Sequence, residues 1–129
     1  MKKISVLIIE SSAIVRTRLK SLLEENRQIG HIFQASGFSD GIDYMETYNP
    51  QVVVLDVNLP DGKGLKNLYE LKQSYPDTKI IVFTNKGHEM YAEASLDLGA
   101  NYFLDKSYDF QKLPAVLDLI SNNSGYSLN

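Results

Sequence analysis

Short apolar runs alternate with longer stretches of helical periodicity along this chain. The runs cover residues 4–9, 31–35, 52–55, 79–83 and 101–104, and most of them lack the in/out alternation of a strand with one solvated face. Continuous apolar runs are typical of parallel strands that are covered on both faces. The alternation therefore predicts an α/β fold in which five βα units build a parallel sheet. The second run, which His31 and Gln34 interrupt, fits an edge strand best.

Helices are predicted between and after these runs. The first has apolar residues at three- and four-residue spacing from Ile14 to Leu23, with Ser11 or Ser12 as its cap. The next three cover about residues 39–48, 64–75 and 88–98, and they end at Asn49-Pro50, Pro76 and Gly99. In the last segment Pro114 disfavours a helix capped by Asp109, so the helix proper should begin near Leu113 after an irregular turn.

Composition narrows the class of protein. The chain has 129 residues, 43% of them hydrophobic, which suffices for one core, so residues 1–122 are predicted to form a single domain followed by a short polar tail, 123–129. A net charge of −3 without a basic stripe argues against direct binding of nucleic acid. The absence of cysteine excludes a disulfide framework and thiol catalysis. No run approaches the roughly 20 apolar residues that span a bilayer, and we expect a cytoplasmic protein with no membrane contact.

Polar residues follow four of the five apolar runs. They are Glu10, Asp56, Thr84 and, two residues past the fifth run, Lys106. In a doubly wound sheet the carboxyl ends of the strands meet at one edge, where ligands bind. A polar residue that leaves a strand needs no special explanation by itself. Two acids, a hydroxyl and an ammonium at the same edge, however, predict a site.

Asp56 is the centre of this predicted site because it directly follows the run "VVVL". A carboxylate among apolar neighbours is costly unless it is paired, and the simpler interpretation is an ion pair with Lys106. The functional interpretation is a nucleophile that forms an aspartyl phosphate, with Lys106 and a divalent metal offsetting the charge. Thr84 could then donate a hydrogen bond to a phosphoryl oxygen.

These motifs carry a family resemblance. The acid after the first strand, "VVVLDVNLPDGKGL" around Asp56, "IIVFTN" with Thr84 and "GANYFLDKS" with Lys106 resemble the receiver domain of two-component response regulators, in the same order and over essentially the whole chain. The resemblance implies a flavodoxin-like sheet with strand order 2-1-3-4-5. It also implies a Mg²⁺ ion held by Glu10, Asp56 and the backbone carbonyl of Asn58.

The resemblance further implies a signalling switch, not an enzyme. Asp56 would take a phosphoryl group from a sensor histidine kinase or a histidine phosphotransfer protein. Thr84 would then move toward the phosphate, and an aromatic residue of the fifth strand, Phe103 or alternatively Tyr102, would turn inward. The face made by the fourth helix, fifth strand and fifth helix would in this way meet a downstream protein. Homodimerisation is left open.

The sequence departs from the family at the first strand. Receivers usually have two adjacent acids there, whereas this chain has Glu10-Ser11. Ser11 thus stands where the family has a direct metal ligand, and the loss of one charge predicts weaker Mg²⁺ binding. Asn85 replaces a small residue after Thr84, and Ser107 replaces a proline after Lys106.

Two other functions stay open at this level. A pseudo-receiver that has lost Mg²⁺ would act as a phosphorylation-independent binding module, and beryllofluoride with Mg²⁺ would leave its amide spectrum unchanged. A haloacid-dehalogenase-type phosphatase also uses an aspartate nucleophile, but it needs a second aspartate where this chain has Asn58. We expect the domain to stand alone or to be part of a longer regulator.

Overall fold

The computed structural model describes residues 3–85 and 89–123. Within these two ranges, five strands alternate with five α-helices. In chain order the elements are β1 (Ile4–Ile9), α1 (Ala13–Glu24), β2 (Ile29–Ala35), α2 (Phe38–Tyr48), β3 (Val52–Leu55), α3 (Leu65–Ser74), β4 (Lys79–Thr84), α4 (Glu89–Asp97), β5 (Tyr102–Asp105), a 3₁₀ turn (Phe110–Lys112) and α5 (Leu113–Asn123). The predicted tail lies outside the described residues from position 124 onward. Within the described ranges, no helix combines the length and apolar character that crossing a bilayer requires.

The five strands form one parallel sheet in the order β2-β1-β3-β4-β5. This confirms the predicted doubly wound fold and the edge position of β2. The register aligns Ile9 of β1 with Leu55 of β3, and Leu55 with Val82 of β4. Because these strands end level with one another, the residues that follow them share one edge of the sheet.

Both faces of the sheet are covered, as the continuous apolar runs predict. One core cluster joins alternate sheet residues to α1 and α5, and the other joins the opposite set to α2 and α3. The central strand β3 is buried at all four positions, Val52, Val53, Val54 and Leu55. The segment that leads to Asp56 is therefore fixed by packing from both sides.

Local sequence signals set the helix ends. Ser12 is the N-cap of α1, where its hydroxyl accepts a hydrogen bond from Val15 N at 3.3 Å. Asn49 adopts a left-handed conformation, with φ of 47°, and ends α2 before Pro50. The predicted irregular turn before Leu113 is confirmed as the 3₁₀ turn, so Pro114 occupies the first turn of α5, where its missing N–H costs nothing.

The predicted start of β2 is wrong by two residues. The strand begins at Ile29, which pairs with Ile4, and not at His31. Gly30, a residue with low strand propensity, conceals this start in the sequence. The Ile29 pairing exists because β1 supplies the neighbouring backbone, and this tertiary contact overrides local propensity.

Helix α2 approaches β1 closely through Gly41. A Cβ built at Gly41 would lie 2.4 Å from Ile9 Cδ1 and 2.9 Å from Ile9 Cγ1. Ile9 is fully buried and is followed directly by Glu10. The absence of a side chain at Gly41 therefore sets the distance between α2 and the strand that positions Glu10.

Gly41→Ala is expected to lower the free energy of unfolding by about 1–3 kcal/mol, because overpacking outweighs the helix preference of alanine. Urea unfolding measures this change. Gly37→Ala is the control, since a Cβ there meets no atom within 4 Å, and it should cost less than about 1 kcal/mol.

Ile9→Val removes the clashing Cδ1, so the double variant with Gly41→Ala should be more stable than the sum of the two single effects predicts. Simple additivity of the two changes would show that the contact does not limit the approach of α2.

Candidate functional site

The four residues predicted from the strand ends meet at one edge of the sheet. Backbone hydrogen bonds fix two of them directly: Asp56 N donates to Ile9 O at 3.0 Å, and Lys106 N donates to Thr84 O at 2.9 Å. Each of these bonds extends a strand pairing by one residue, so the side chains leave the sheet at neighbouring points. The predicted cluster is thus confirmed as a spatial group, while the roles of its members remain predictions.

Asp56 is only 5% exposed and accepts three hydrogen bonds. Its Oδ1 accepts from Thr84 Oγ1 at 2.9 Å and from Asn58 N at 2.8 Å, and its Oδ2 accepts from Lys106 Nζ at 2.9 Å. Both oxygens thus have polar partners, which offsets the cost of burying the carboxylate. Asp56 and Lys106 therefore form an ion pair. This pair is compatible both with a purely structural role for Asp56 and with Asp56 as the nucleophile that forms an aspartyl phosphate.

Glu10 is the second buried acid at this edge. Its Oε1 accepts a hydrogen bond from Lys106 Nζ at 2.5 Å, and its Oε2 accepts one from Ser12 N at 2.8 Å. The longer glutamate side chain therefore reaches inward to the same ammonium that Asp56 contacts. Ser11 is exposed, and within the described residues its hydroxyl makes no hydrogen bond to Glu10, Asp56 or Lys106.

Lys106 joins the two acids across the sheet. Its side chain is 12% exposed, while those of Glu10 and Asp56 are 3% and 5% exposed. Burial by itself lowers the pKa of the ammonium, but the hydrogen bonds and the Coulomb attraction of the two carboxylates together raise the pKa above its ordinary value. With two carboxylates and one ammonium, the cluster has a formal charge of −1.

Arg16 is a residue of this edge that the sequence patterns did not single out. Its Nη1 donates to Glu10 O at 2.7 Å and to Ser11 O at 3.0 Å. The guanidinium therefore fixes the backbone between β1 and α1 and adds a positive charge beside the acids. Its position one helical turn after the capping Ser12 is the only sequence signal that could have indicated this role.

The loop between β3 and α3 is held by its own side chains. Asp61 Oδ1 accepts from Lys63 N at 3.0 Å, and Asp61 Oδ2 accepts from Asn67 Nδ2 at 3.0 Å. Both hydrogen bonds lower the pKa of the Asp61 carboxyl, and the one from the Lys63 backbone N–H has the larger effect. Gly62 and Gly64 have positive φ, which the tight path after Asn58 requires.

The two aromatic residues of β5 face opposite sides of the sheet. Tyr102 packs with the α1/α5 core, and Phe103 packs with the α2/α3 core. The Phe103 ring meets Tyr91 of α4 edge-on, with 6.3 Å between ring centroids. Of the two predicted switch residues, Phe103 is therefore the one in contact with α4.

A hydrogen bond also connects the two residues that depart from the family beside Thr84 and Lys106. Ser107 Oγ donates to Asn85 Oδ1 at 3.3 Å, and both residues are exposed. The contact links the loops that follow β4 and β5.

The oxygen atoms at this edge suit a hard cation. Glu10 and Asp56 supply two carboxylates, which is the number that Mg²⁺ commonly takes from a protein, and waters fill the other positions. Among the described residues, no group of three or more acidic, histidine or cysteine side chains is placed to hold a metal ion. The donor set thus fits Mg²⁺ with one carboxylate fewer than a three-acid site would offer.

Comparison with known proteins decides the family. The sequence-family model of the response regulator receiver domain matches residues 6–118 of this chain. The chain belongs to this family. Receiver domains are the regulator modules of two-component signalling systems, in which they work with histidine kinases. The predicted resemblance and fold are therefore confirmed.

Individual relatives agree with the family match. Fimbriae Z protein of Salmonella typhimurium is 32% identical over 127 residues, a match that covers 98% of this chain and 60% of the relative. The chain spans 52 to 60% of the length of the first curated relatives that it matches.

Two solved structures share the fold of this receiver domain. The isolated REC domain of RcsB from Salmonella enterica serovar Typhimurium, solved with phosphomimetic BeF₃⁻, has a TM-score of 0.87 at 21% identity, covering 95% of this chain and 91% of that one. The Mn²⁺-bound form of response regulator Rcp1 has a TM-score of 0.75 at 22% identity and covers 93% of both chains.

Lys106→Met is expected to lower the free energy of unfolding by about 3–5 kcal/mol in EDTA, because two buried carboxylates lose their cation. The raised pKa means that Lys106 stabilises the fold fully below its unfolded pKa of about 10.4, and that this contribution is lost as pH rises through the higher folded value. Chemical unfolding from about pH 7 to about pH 11 should therefore show that the difference in free energy of unfolding between wild type and variant becomes smaller at the alkaline end.

Lys20→Met is the matched control. Lys20 lies 4.0 Å from Glu24, and the two side chains are 44% and 56% exposed. A surface pair of this kind contributes less than about 1 kcal/mol. Equal losses from both substitutions would mean that burial does not set the strength of the Lys106 cluster.

Proposed function

We propose that this receiver domain accepts a phosphoryl group on Asp56 and acts as a phosphorylation-dependent switch. The observation that carries the proposal is the environment of Asp56. A nearly buried carboxylate at the end of the central strand lies within 2.9 Å of both the Lys106 ammonium and the Thr84 hydroxyl. The cation and the hydroxyl are the groups that a phosphorylated aspartate needs beside it.

The donor is the phosphohistidine of a sensor histidine kinase or a histidine phosphotransfer protein. A carboxylate oxygen of Asp56 attacks phosphorus, the phosphorus–nitrogen bond breaks, and its electron pair returns to the imidazole nitrogen, which takes up a proton. Lys106 offsets the negative charge of the transferred group. Glu10 holds the Lys106 ammonium beside Asp56 before and after the transfer.

Thr84 is the residue that changes its hydrogen-bond partner when the domain is phosphorylated. Its hydroxyl donates to Asp56 in the unmodified domain. On the phosphorylated domain it donates to a phosphoryl oxygen instead, and the resulting movement of β4 leaves room for Phe103 to change its contact with Tyr91. The output face is then made by α4, β5 and α5, and a downstream protein reads it.

Mg²⁺ is the proposed cofactor, held by Glu10, Asp56 and the backbone carbonyl of Asn58. When bound, it supplies positive charge to the phosphoryl oxygens. Ser11 adds no charge to this set, and a carboxylate about 4 Å from a divalent ion is worth roughly 8 kcal/mol before desolvation at an effective dielectric near 20. The domain therefore binds Mg²⁺ more weakly than a receiver with two acids at this corner.

Acetyl phosphate with Mg²⁺ is expected to add the mass of one phosphoryl group to the wild type and none to Asp56→Asn, as intact-protein mass spectrometry would show. The matched control is Asp61→Asn, which alters an exposed carboxylate of the neighbouring loop and should still be modified. A mass gain that persists in Asp56→Asn would place the acceptor elsewhere. An unmodified wild type at saturating Mg²⁺ would favour the pseudo-receiver.

Ser11→Asp is expected to lower the Mg²⁺ concentration for half-maximal phosphorylation by about tenfold or more, because it adds a charged oxygen ligand. Ser11→Asn has nearly the same size without the charge and should shift the midpoint by less than about threefold. A Mg²⁺ titration of phosphorylation rate for the three proteins measures both. Equal midpoints for wild type and Ser11→Asp would show that the missing acid does not limit metal binding.

A further inference from the structure

Four aromatic rings form one continuous surface on β2 and α2, apart from the phosphorylation site. This β2–α2 aromatic face consists of His31, Phe33, Tyr44 and Tyr48. Phe33 is at its centre, with ring centroids 4.6 Å from Tyr48, 5.5 Å from Tyr44 and 6.1 Å from His31. Tyr48 is 58% exposed, and His31 is also exposed. Phe33 and Tyr44 are half-buried and pack against the α2/α3 core, so Tyr48 and His31 present most of the solvent-facing ring surface at this edge of the sheet.

The geometry of α2 places an acid in line with these rings. Asp40, Tyr44 and Tyr48 recur every fourth residue, so they form a stripe along one side of the helix that is about 12 Å long. Asp43 lies beside this stripe and lines the same open cleft as Asp40 and Tyr44. Both acids are exposed, and no lysine or arginine in the described ranges lies within 4 Å of either carboxylate.

The two tyrosine hydroxyls are also unused. Within the part of the chain that the structure describes, neither Tyr44 nor Tyr48 makes a hydrogen bond through its phenol. A tyrosine at a protein contact normally uses its ring for packing and its hydroxyl for a polar partner. The face therefore offers ring surfaces, two phenols and two carboxylates without internal partners.

The charge of this surface selects its partner. Helix α2 carries three acids and no lysine or arginine, and β2 carries no charged residue apart from the titratable His31, so the two elements sum to −3 with His31 neutral. Arg16 lines the rim of the cleft, but its Nη1 is engaged by the carbonyls of Glu10 and Ser11. A second copy of the same face or a polyanion would be repelled.

Arginine is the residue type that matches both the aromatic rings and the carboxylates of this face. A guanidinium stacks on aromatic faces and forms paired hydrogen bonds with carboxylates. The chain already uses this chemistry elsewhere, since the Arg18 guanidinium lies 4.4 Å from the centroid of the Phe110 ring. We propose that the β2–α2 aromatic face docks a segment of a partner protein that carries two arginines, one stacked on the exposed Tyr48 ring and one paired with Asp40 and Asp43.

This surface is separate from the output face of the proposed switch. Strand β5 lies at the other end of the sheet, because β2 and β5 are its two edge strands, and α5 packs with α1 on the opposite face of the sheet from α2. The partner of the β2–α2 aromatic face is therefore a second protein contact, and the unphosphorylated domain is able to bind it.

The test titrates the unphosphorylated, ¹⁵N-labelled chain with a synthetic peptide that carries two arginines and two leucines at helical-turn spacing. We expect saturable amide shifts in β2 and α2. A peptide with citrulline in place of arginine has the same shape without the charge, and it should bind at least about tenfold more weakly.

Variants separate this site from general attraction to an acidic protein. Tyr48→Ala should weaken the peptide about tenfold, and Asp43→Asn a few-fold. Their matched controls lie on α3: Tyr69→Ala, which removes a ring that is 51% exposed, and Glu70→Gln. Both controls should stay within about twofold of the wild type. Dispersed amide spectra of all four variants would show that each remains folded.

Three results would overturn the proposal. The first is an absence of saturable shifts in β2 and α2 at millimolar peptide. The second is the failure of either matched comparison, which means an equal loss of affinity in the α2 variants and their α3 controls or equal binding of the citrulline and arginine peptides. The third is a dimer in sedimentation experiments that Tyr48→Ala abolishes, since a second copy would then be the occupant of this face.

Discussion

The ammonium of Lys106, shared between Glu10 and Asp56, is the interaction on which the functional edge depends. It joins residues that follow β1, β3 and β5, so one cation holds three segments of the sheet edge together. Bringing three charges out of water is costly, and the cost is offset only while all three are present. The site is therefore stable as a complete set and is sensitive to the loss of any member.

The missing acid at position 11 changes the charge of this edge more than its shape. Ser12 still caps α1, and Arg16 still fixes the backbone at Glu10 and Ser11. A receiver with a second acid would have a formal charge of −2 at this edge, whereas this one has −1. In the metal-free state, an edge with a charge of −1 has less repulsion between its carboxylates than an edge with −2. For the same electrostatic reason it attracts a metal cation more weakly.

Much of this structure can be predicted from the sequence, because strands that are buried on both faces of a parallel sheet appear in the sequence as continuous hydrophobic runs. The residues that close such runs, Asp56 and Thr84 among them, can be read off directly. The start of β2 at Ile29 could not be predicted, since it depends on pairing with β1. The same holds for the β2–α2 aromatic face, whose members are regularly spaced within each element but meet only through packing between the two.

The close approach of Gly41 to Ile9 has a consequence for signalling. Because this contact leaves no free space, α2 cannot tilt toward the sheet without moving Ile9, and Glu10 is the next residue in the chain. A ligand that displaced α2 would therefore disturb Glu10 and, through Lys106, the proposed phosphoacceptor Asp56. Thermodynamic linkage makes such an effect reciprocal, so that modification of Asp56 would change the affinity at α2 by the same factor.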